Sequence, residues 1–459
     1  MSLVQYFASM LVGAPVIGFV MLGLSGLLHR PFSELVVDRI AKISVGVGLV
    51  GALGVLGVMM WSGHTLEVLD LGNFVEIGTE HFHFHLEFLF DRLSLPMVLM
   101  TFVLVGVIGS FANIYLAGDA GYHRFFLAFS MFLVGLLFAF LAGTIETLFF
   151  GWELVGLSSA LLIAYFHERK APVENGLWVW GVYRIADGAF LMAALMLHHL
   201  TGEGEFMRMV SSTAWPEGVV RMDTWSTWVV GVLLLVAAAG KSGLVPFSGW
   251  LPRAMEGPTP SSAVFYGALS IHLGVYLLLR MGPLYAESVG LRVLMFSLGM
   301  VSAIFAAMAS RVQTDVKSAL AFASVCQVGI IVMEIALGLW YVALVHIIGH
   351  AFLRSLQLLR APTLLRDYRA LENAIGGRLA SGEPFWVSQL SAQRQMQWYR
   401  FALERGYMDA LIEGWVLRPF VRFFRVCERI ENQWLQRLDE VGEEKAKDVL
   451  DTERKRVSE

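Results

Sequence analysis

Long uninterrupted stretches of apolar residues dominate the first 360 positions of this 459-residue chain. A stretch of about 18 or more apolar residues is long enough to cross a lipid bilayer as a helix. The pattern predicts eleven such helices, at about 8–28, 43–61, 93–116, 124–143, 145–166, 175–200, 225–245, 260–281, 292–310, 318–338 and 340–360. The sequence therefore predicts an all-α polytopic protein embedded in a lipid bilayer.

The balance of charge changes at about residue 360. The chain is 56% hydrophobic and only 16% charged, yet residues 361–459 hold 16 of its 34 Lys+Arg and 16 of its 38 Asp+Glu. We therefore expect two domains, a membrane domain over 1–360 and a cytoplasmic or interfacial tail over 361–459. Aromatic residues at helical spacing alternate with arginines in the tail, which is typical of an amphipathic helix on a membrane or partner surface. Pro419 should split that helix in two.

Between the second and third predicted helices, polar and apolar residues alternate from Val75 to Phe90. A period of two predicts a short strand or hairpin. His81, His83 and His85 would share one strand face, where they could bind a metal or form a solvated edge. No cysteine or other obvious ligand run is nearby, so no metal is assigned to this chain.

The distribution of Lys and Arg over the predicted loops indicates the orientation. Nine basic residues fall on one side and five on the other; the latter are Arg92, Arg208, Arg221, Arg280 and Arg292. The positive-inside rule then places the N-terminus outside and the tail in the cytoplasm.

Motifs for enzymatic chemistry are missing from the sequence. The two cysteines, Cys326 and Cys427, form no metal or haem motif, and no dinucleotide or phosphate-binding glycine loop is visible. We expect no cofactor and no catalytic site on this chain, and nothing predicts nucleic acid as a partner.

Ionisable residues inside the apolar stretches carry the candidate chemistry. Lys241 lies near the end of the seventh stretch, before Gly243 and Pro246, which should break the helix. A lysine in a bilayer segment is costly and usually marks ion or proton traffic. Glu153 in the fifth stretch is the candidate partner carboxylate, and the alternative is a static ion pair that joins two helices.

Other polar residues could extend the pathway. Arg184 and Asp187 are three positions apart on one helix face, which favours a structural or tuning pair. Histidines titrate near neutral pH and suit proton relays. The further candidates are His346 and His350, one turn apart, together with Glu334, Tyr266 and His272.

These residues stand in motifs that resemble the antiporter-like family: NADH dehydrogenase subunit 5, bacterial quinone-oxidoreductase subunit L and the large Mrp antiporter subunit. Gly151-Trp-Glu153-Leu-Val-Gly-Leu-Ser resembles the family's glutamate helix, and Gly240-Lys241-Ser with Pro246-Phe resembles its broken lysine helix. Thr314-Asp-Val-Lys317-Ser and His346-x-x-x-His350-Ala-Phe resemble later helices. The resemblance implies a bundle of about 11–12 transmembrane helices, with Glu153 and Lys241 as the proton-pathway pair, Lys317 at the next lysine position, and His346 and His350 on the polar axis.

Departures from the pattern favour one branch of that family. No apolar stretch follows residue 360, so we expect a truncated second inverted repeat without its own lysine. Phe265-Tyr266-Gly-Ala-Leu-Ser and the amphipathic tail resemble the membrane subunit of Dab-type inorganic-carbon accumulation complexes. That branch implies a bacterial inner-membrane location and a cytoplasmic, zinc-containing, carbonic-anhydrase-like partner driven by proton or sodium flux. The alternatives are a pumping subunit of an NADH-quinone oxidoreductase-like complex and an Mrp-type sodium/proton antiporter.

Overall fold

The structure, a computed structural model, describes residues 2–77, 82–202, 204–209, 215–377 and 391–437. Within these residues eleven helical segments are long and apolar enough to cross a membrane, which confirms the predicted fold class. Nine of them are formed by the helices α1 (Leu3–Leu27), α2 (Glu34–Ser62), α3 (Ser94–Tyr115), α4 (Tyr122–Phe140), α5 (Ile145–Ile163), α6 (Lys170–Thr201), α13 (Val289–Val312), α14 (Val316–Ala336) and α15 (Trp340–Ile375).

The seventh and eighth spans are each interrupted. Between α6 and the seventh span lies the short α7 (Phe206–Met209). The seventh span comprises α8 (Thr224–Ser242), a 3-10 turn at Phe247–Gly249, α9 (Trp250–Arg253) and a second 3-10 turn at Ala254–Glu256. The eighth comprises α10 (Thr259–Ser262), a π-helical turn at Ala263–Ala268 and α11 (Ser270–Arg280), followed by the short α12 (Gly282–Ala286). π-turns of this kind are rare and often lie at functional sites.

Small residues let neighbouring helices approach closely. Gly299 of α13 and Gly329 of α14 face each other, and a Cβ built on either would lie 2.6 Å from the other's carbonyl oxygen. Likewise a Cβ on Gly151 of α5 would lie 2.4 Å from the backbone nitrogen of Ala139 in α4. Membrane helices associate largely through such close packing, because lipid offers them no hydrophobic driving force.

The predicted hairpin is present and longer than expected. Strands β1 (Leu66–Ile77) and β2 (Phe82–Asp91) pair antiparallel. Residues 78–81, which include His81, lie outside the described part of the chain, as does the side chain of His83. His85 is described, and its imidazole contacts two carboxylates.

A buried ion pair connects the end of β2 to α11. The Arg280 guanidinium donates to the carboxylate of Asp91 at 2.5 Å, and the two side chains are only 4% and 2% exposed. The sequence-based orientation counted Arg280, at the end of the predicted span 260–281, among the basic residues near the loops. The residue lies in the last turn of α11 and is buried. It therefore does not belong in a count of loop charges.

The chain divides into two compact units, Met1–Gly406 and Tyr407–Glu459. Position 360, the expected domain boundary, falls inside α15, and α16 (Ala392–Leu403) also belongs to the first unit. In the second unit α17 (Met408–Ile412) leads into a π-turn at Glu413–Leu417 and a helix over 418–437. The expected division of the tail helix at Pro419 thus falls at the boundary between the π-turn and the last helix. Pro419 stands at the start of this last helix, directly after the wider π-turn.

Candidate ion-translocation site

Lys241 lies in the last turn of α8, and its side chain is fully buried. Its Nζ donates a hydrogen bond of 2.9 Å to the backbone carbonyl oxygen of Trp152. The same nitrogen lies 4.9 Å from the centroid of the Trp152 ring and 4.6 Å from that of Tyr183. Aromatic faces attract a cation only modestly. Among the described residues, no carboxylate is in direct contact with the ammonium.

The helix ends directly after this lysine. Gly243 caps α8 in the left-handed conformation, with φ of +66°. Pro246 follows and lacks a backbone N–H, which prevents the α-helical pattern from continuing. The indole Nε1 of Trp250 donates to the carbonyl oxygen of Gly240 at 2.8 Å. Backbone groups released by the break are thus satisfied by protein, as a break at membrane depth requires.

Glu153 lies on α5, but its partner is not Lys241. Its Oε2 accepts a 2.7 Å hydrogen bond from Nη2 of Arg184. The same guanidinium nitrogen lies 2.6 Å from the Oδ2 of Asp187. The expected direct pairing of Glu153 with Lys241 is therefore absent from this conformation, because an arginine on α6 bridges two carboxylates and takes that place.

Trp152 connects the two parts of the site, and the sequence analysis did not select it. Its indole Nε1 donates to Oδ1 of Asp187 at 2.5 Å, while its carbonyl accepts from Lys241. Contacts therefore run without interruption from Glu153 through Arg184 and Asp187 to Trp152 and Lys241. The position next to Glu153 was the available signal, since an indole in a bilayer needs an acceptor when it is buried.

Gly156 explains how the lysine can approach the α5 backbone. A Cβ at this position would lie 3.2 Å from the Nζ of Lys241. A larger side chain would have to displace the ammonium. The glycine one turn after Trp152 is therefore part of the lysine pocket.

A second polar cluster joins α11, α14 and α15. His272 and His350 are both buried, and the Nε2 of the first lies 2.9 Å from the Nδ1 of the second. His346 contacts Oε1 of Glu334 at 2.9 Å and the amide oxygen of Gln327 at 3.0 Å. The two histidines of α15 thus have separate partners, and sequence reasoning missed Gln327.

The remaining candidates lie further from these contacts. Lys317 is half-buried, and its Nζ lies 3.5 and 3.4 Å from the carbonyl oxygens of Met255 and Gly257. Tyr266 belongs to the π-turn of the eighth span, and its side chain is outside the described part of the structure. The structure therefore brings Lys317 to the segment after the α8 break, and the role of Tyr266 stays a prediction.

The sequence matches two family models over most of the membrane-spanning part. Residues 142–389 match the transmembrane model described as NADH:quinone oxidoreductase/Mrp antiporter. The chain belongs to this family. Residues 75–126 match a second model, the N-terminus of chain 5 of NADH-ubiquinone oxidoreductase (complex I). The first match contains both polar clusters, and the second contains the end of β1, all of β2 and α3, and the start of α4.

Several curated relatives share this region. NADH-quinone oxidoreductase subunit L of Escherichia coli (strain K12) is 30% identical over 356 residues, covering 76% of this chain and 56% of the relative. NADH-ubiquinone oxidoreductase chain 5 of Cryptococcus neoformans var. grubii is 32% identical over 278 residues, covering 61% and 41%. The chain thus spans about half the length of the curated relatives it matches.

Solved structures agree on the fold. A chain of the Mrp complex from Dietzia sp. DQ12-45-1b superposes with a TM-score of 0.63 at 23% identity, over 82% of this chain and 39% of that chain. A chain of the membrane-bound sulfane sulfur reductase, an archaeal respiratory membrane complex, gives 0.63 at 19% identity over 78% and 57%. At these identities the likeness concerns the fold.

Proposed function

We propose that this chain conducts protons across a membrane as one subunit of an oxidoreductase- or Mrp-type complex. The single observation that supports this most is the fully buried Lys241 beside a helix break, connected through Trp152 to Asp187, Arg184 and Glu153. Charged groups are expensive in a bilayer and are retained where ions pass. The family's curated relatives, named as subunits of quinone oxidoreductases, agree with this proposal.

Titratable side chains with hydrogen bonds in series favour protons over sodium as the conducted ion. Sodium prefers a cage of oxygen ligands, whereas Lys241 contacts one carbonyl oxygen and two aromatic rings and His350 contacts a second imidazole. Buried polar atoms without a hydrogen-bond partner in the described structure include Nε of Arg184, Oε2 of Glu334 and Nε2 of His350. Such atoms are suitable partners for water, which can complete a proton path.

The ion is tested by transport in proteoliposomes that contain the purified chain or its native complex. Under an imposed potential, we expect internal acidification that is unchanged when sodium is replaced by a large organic cation. Flux that requires sodium would favour the sodium/proton exchanger instead. The expected setting is a bacterial inner membrane, with the N-terminus outside.

A narrower proposal is coupling of this flux to a soluble carbon-hydrating partner that contains zinc. Exposed side chains of the second compact unit support a docking surface for such a partner. Trp415 and Trp434 are 81% and 65% exposed, and exposed arginines on the same segment include Arg422 and Arg425. Large exposed aromatics beside arginines are typical of interface positions.

Purification of the native complex distinguishes these assignments. Co-purifying iron–sulfur and flavin subunits would support the oxidoreductase type, and small hydrophobic subunits would support the Mrp type. A stoichiometric soluble zinc protein that is lost on deletion of residues 407–459 would support the carbon-accumulation type. If that protein remains bound after the deletion, the tail is not its docking surface.

A further inference from the structure

A cluster of His85, Glu87 and Glu205 lies at the end of the bundle where the hairpin meets two helix junctions. One ligand atom from each of the three residues lies within 4.8 Å of the other two. Nδ1 of His85 is 3.1 Å from Oε1 of Glu205 and 4.0 Å from Oε2 of Glu87. Zn²⁺ bound tetrahedrally at about 2.1 Å keeps its ligand atoms roughly 3.4 Å apart. The two separations from His85 lie within about 0.6 Å of that spacing, and the two carboxylate oxygens, which lie within 4.8 Å of each other, would close by up to about 1.4 Å to complete a three-ligand site.

Glu87 is the residue of this cluster that most needs a positively charged ligand. The residue is only 6% exposed, and its carboxylate has no hydrogen bond among the described residues. A buried carboxylate without a donor is strongly disfavoured unless it is neutralised.

The imidazole of His85 is already oriented for metal binding. Its Nε2 lies 2.7 Å from Oδ1 of Asp70, on the side of the ring opposite to the two glutamates. Metal-binding histidines usually donate their other nitrogen to a carboxylate in this manner, which fixes the tautomer and leaves the first nitrogen free for the ion. Asp70 thus acts on the histidine and not on the ion.

The backbone holds the cluster on three hydrogen-bonded segments. The amide of Gly143, at the α4–α5 junction, donates to the carbonyl oxygen of Glu87 at 2.9 Å. The amide of Phe206, next to Glu205, donates to the carbonyl oxygen of Gly143 at 2.9 Å. A Cβ on Gly143 would lie 2.8 Å from Cγ of Glu87, so the glycine makes room for that side chain. Ligands fixed in this way need little ordering when an ion binds.

One cation competes for the site. Nε of Arg208 lies 2.9 Å from Oε2 of Glu205, which is the oxygen that does not face His85. The Arg208 side chain is 59% exposed and extends from the surface, so it neutralises Glu205 from outside and leaves Oε1 available.

We propose that His85 Nδ1 and the carboxylates of Glu87 and Glu205 form a binding site for a divalent transition-metal ion such as Zn²⁺. Imidazole and carboxylate ligands suit this class of ion, and three protein ligands leave one coordination position for water. A bound ion would fasten the hairpin to the α4–α5 junction and to the segment after α6. The site lies outside the membrane-spanning helices and is separate from the polar path around Lys241.

The test uses the full chain, purified through a tag without histidines, stripped with a chelator and titrated with Zn²⁺ alone against a competing indicator. We expect one tight equivalent for the unaltered chain. The variants His85→Gln and Glu205→Gln should bind at least about tenfold more weakly, and Asp70→Asn about 10–100-fold more weakly, as for outer-shell carboxylates. His64→Gln is the matched control, because His64 forms a 2.7 Å pair with Glu67 and belongs to no such cluster among the described residues.

Thermal unfolding in chelator shows which variants are folded. His85 and Glu205 lie on separate segments of the chain, so a folded variant at either position is enough to test the site. Bound Co²⁺ supplies a second signal, a visible absorption band that should be lost in His85→Gln and kept in His64→Gln. Failure of the unaltered chain to bind one equivalent, or equal binding by both ligand variants, would overturn the site.

Discussion

Lys241 is stabilised in the interior by one carbonyl and two aromatic rings, and Trp152 connects it to the nearest acidic network. An ammonium held so loosely can release its proton when its surroundings change, whereas a tight ion pair would hold it charged. The Arg184 guanidinium pairs with both nearby carboxylates, Glu153 and Asp187. If the guanidinium moved, either acid would be free to stabilise the ammonium. The residue that the sequence suggested as a tuning partner therefore occupies the centre of the network.

Arg184→Met should reduce proton flux by more than about tenfold, which corresponds to about 1.4 kcal/mol in the barrier. The substitution leaves Glu153 and Asp187 without their shared cation, and either acid can then fix the lysine in its charged form. Flux in proteoliposomes measures the effect. Lys170→Met is the control on the same helix, since Lys170 and Glu174 form an exposed pair; equal flux in both variants would remove Arg184 from the pathway.

Asp91→Asn should destabilise the fold by about 3–5 kcal/mol, because it leaves the Arg280 guanidinium buried without its carboxylate. The free energy of unfolding in detergent measures this. Asp38→Asn breaks the exposed pair with Lys42 and should cost less than about 1 kcal/mol. If both variants lost less than about 1 kcal/mol of unfolding free energy, the Asp91–Arg280 pair would be in contact with solvent.

At the level of elements, apolar length was sufficient to predict all eleven spans, since a bilayer imposes a minimum length on every helix. Pro246 marked the break after Lys241 because a proline cannot continue a helix. The pairing of Glu153 could not be read from the sequence. Pairing depends on how α5, α6 and α8 are rotated about their axes, and apolar residues all round a membrane helix hide that rotation.

The α13–α14 contact depends on two glycines, so Gly299→Ala should separate these helices. A Cβ at this position meets the backbone carbonyl oxygen of Gly329 at 2.6 Å, and backbone cannot move aside as a side chain tip can. We expect a loss of about 1–3 kcal/mol from overpacking, measured by unfolding in detergent. Gly46→Ala, whose Cβ would meet nothing within 4 Å, should be neutral or slightly stabilising; an equal loss there would refute the packing argument.

On the scale of the whole molecule, alternation of the spans places the hairpin, the α4–α5 junction and the loop after α6 at one end. Backbone hydrogen bonds between Leu89 and Leu141, and between Ile145 and Gly204, join these segments. By the same alternation the N-terminus lies at that end. Under the positive-inside rule, the basic residues of the opposite loops predict that this end lies outside.

This orientation predicts which engineered cysteines an impermeant maleimide reaches in intact cells. In a background with Cys326→Ser and Cys427→Ser, we expect labelling of His64→Cys and protection of Glu168→Cys. Both native side chains are largely exposed, at 64% and 70%, so access depends on the side of the membrane. The reverse labelling pattern would show that the chain has the opposite orientation in the membrane.

In the proposed function, Lys241 carries protons through the bilayer. The most direct measurement is potential-driven proton flux in proteoliposomes for Lys241→Met, compared with the surface control Lys42→Met at equal amounts of folded protein. We predict that the flux of Lys241→Met is more than about tenfold lower than that of the unaltered chain, while the flux of Lys42→Met is unchanged. Flux of Lys241→Met equal to that of the unaltered chain would contradict the proposed pathway.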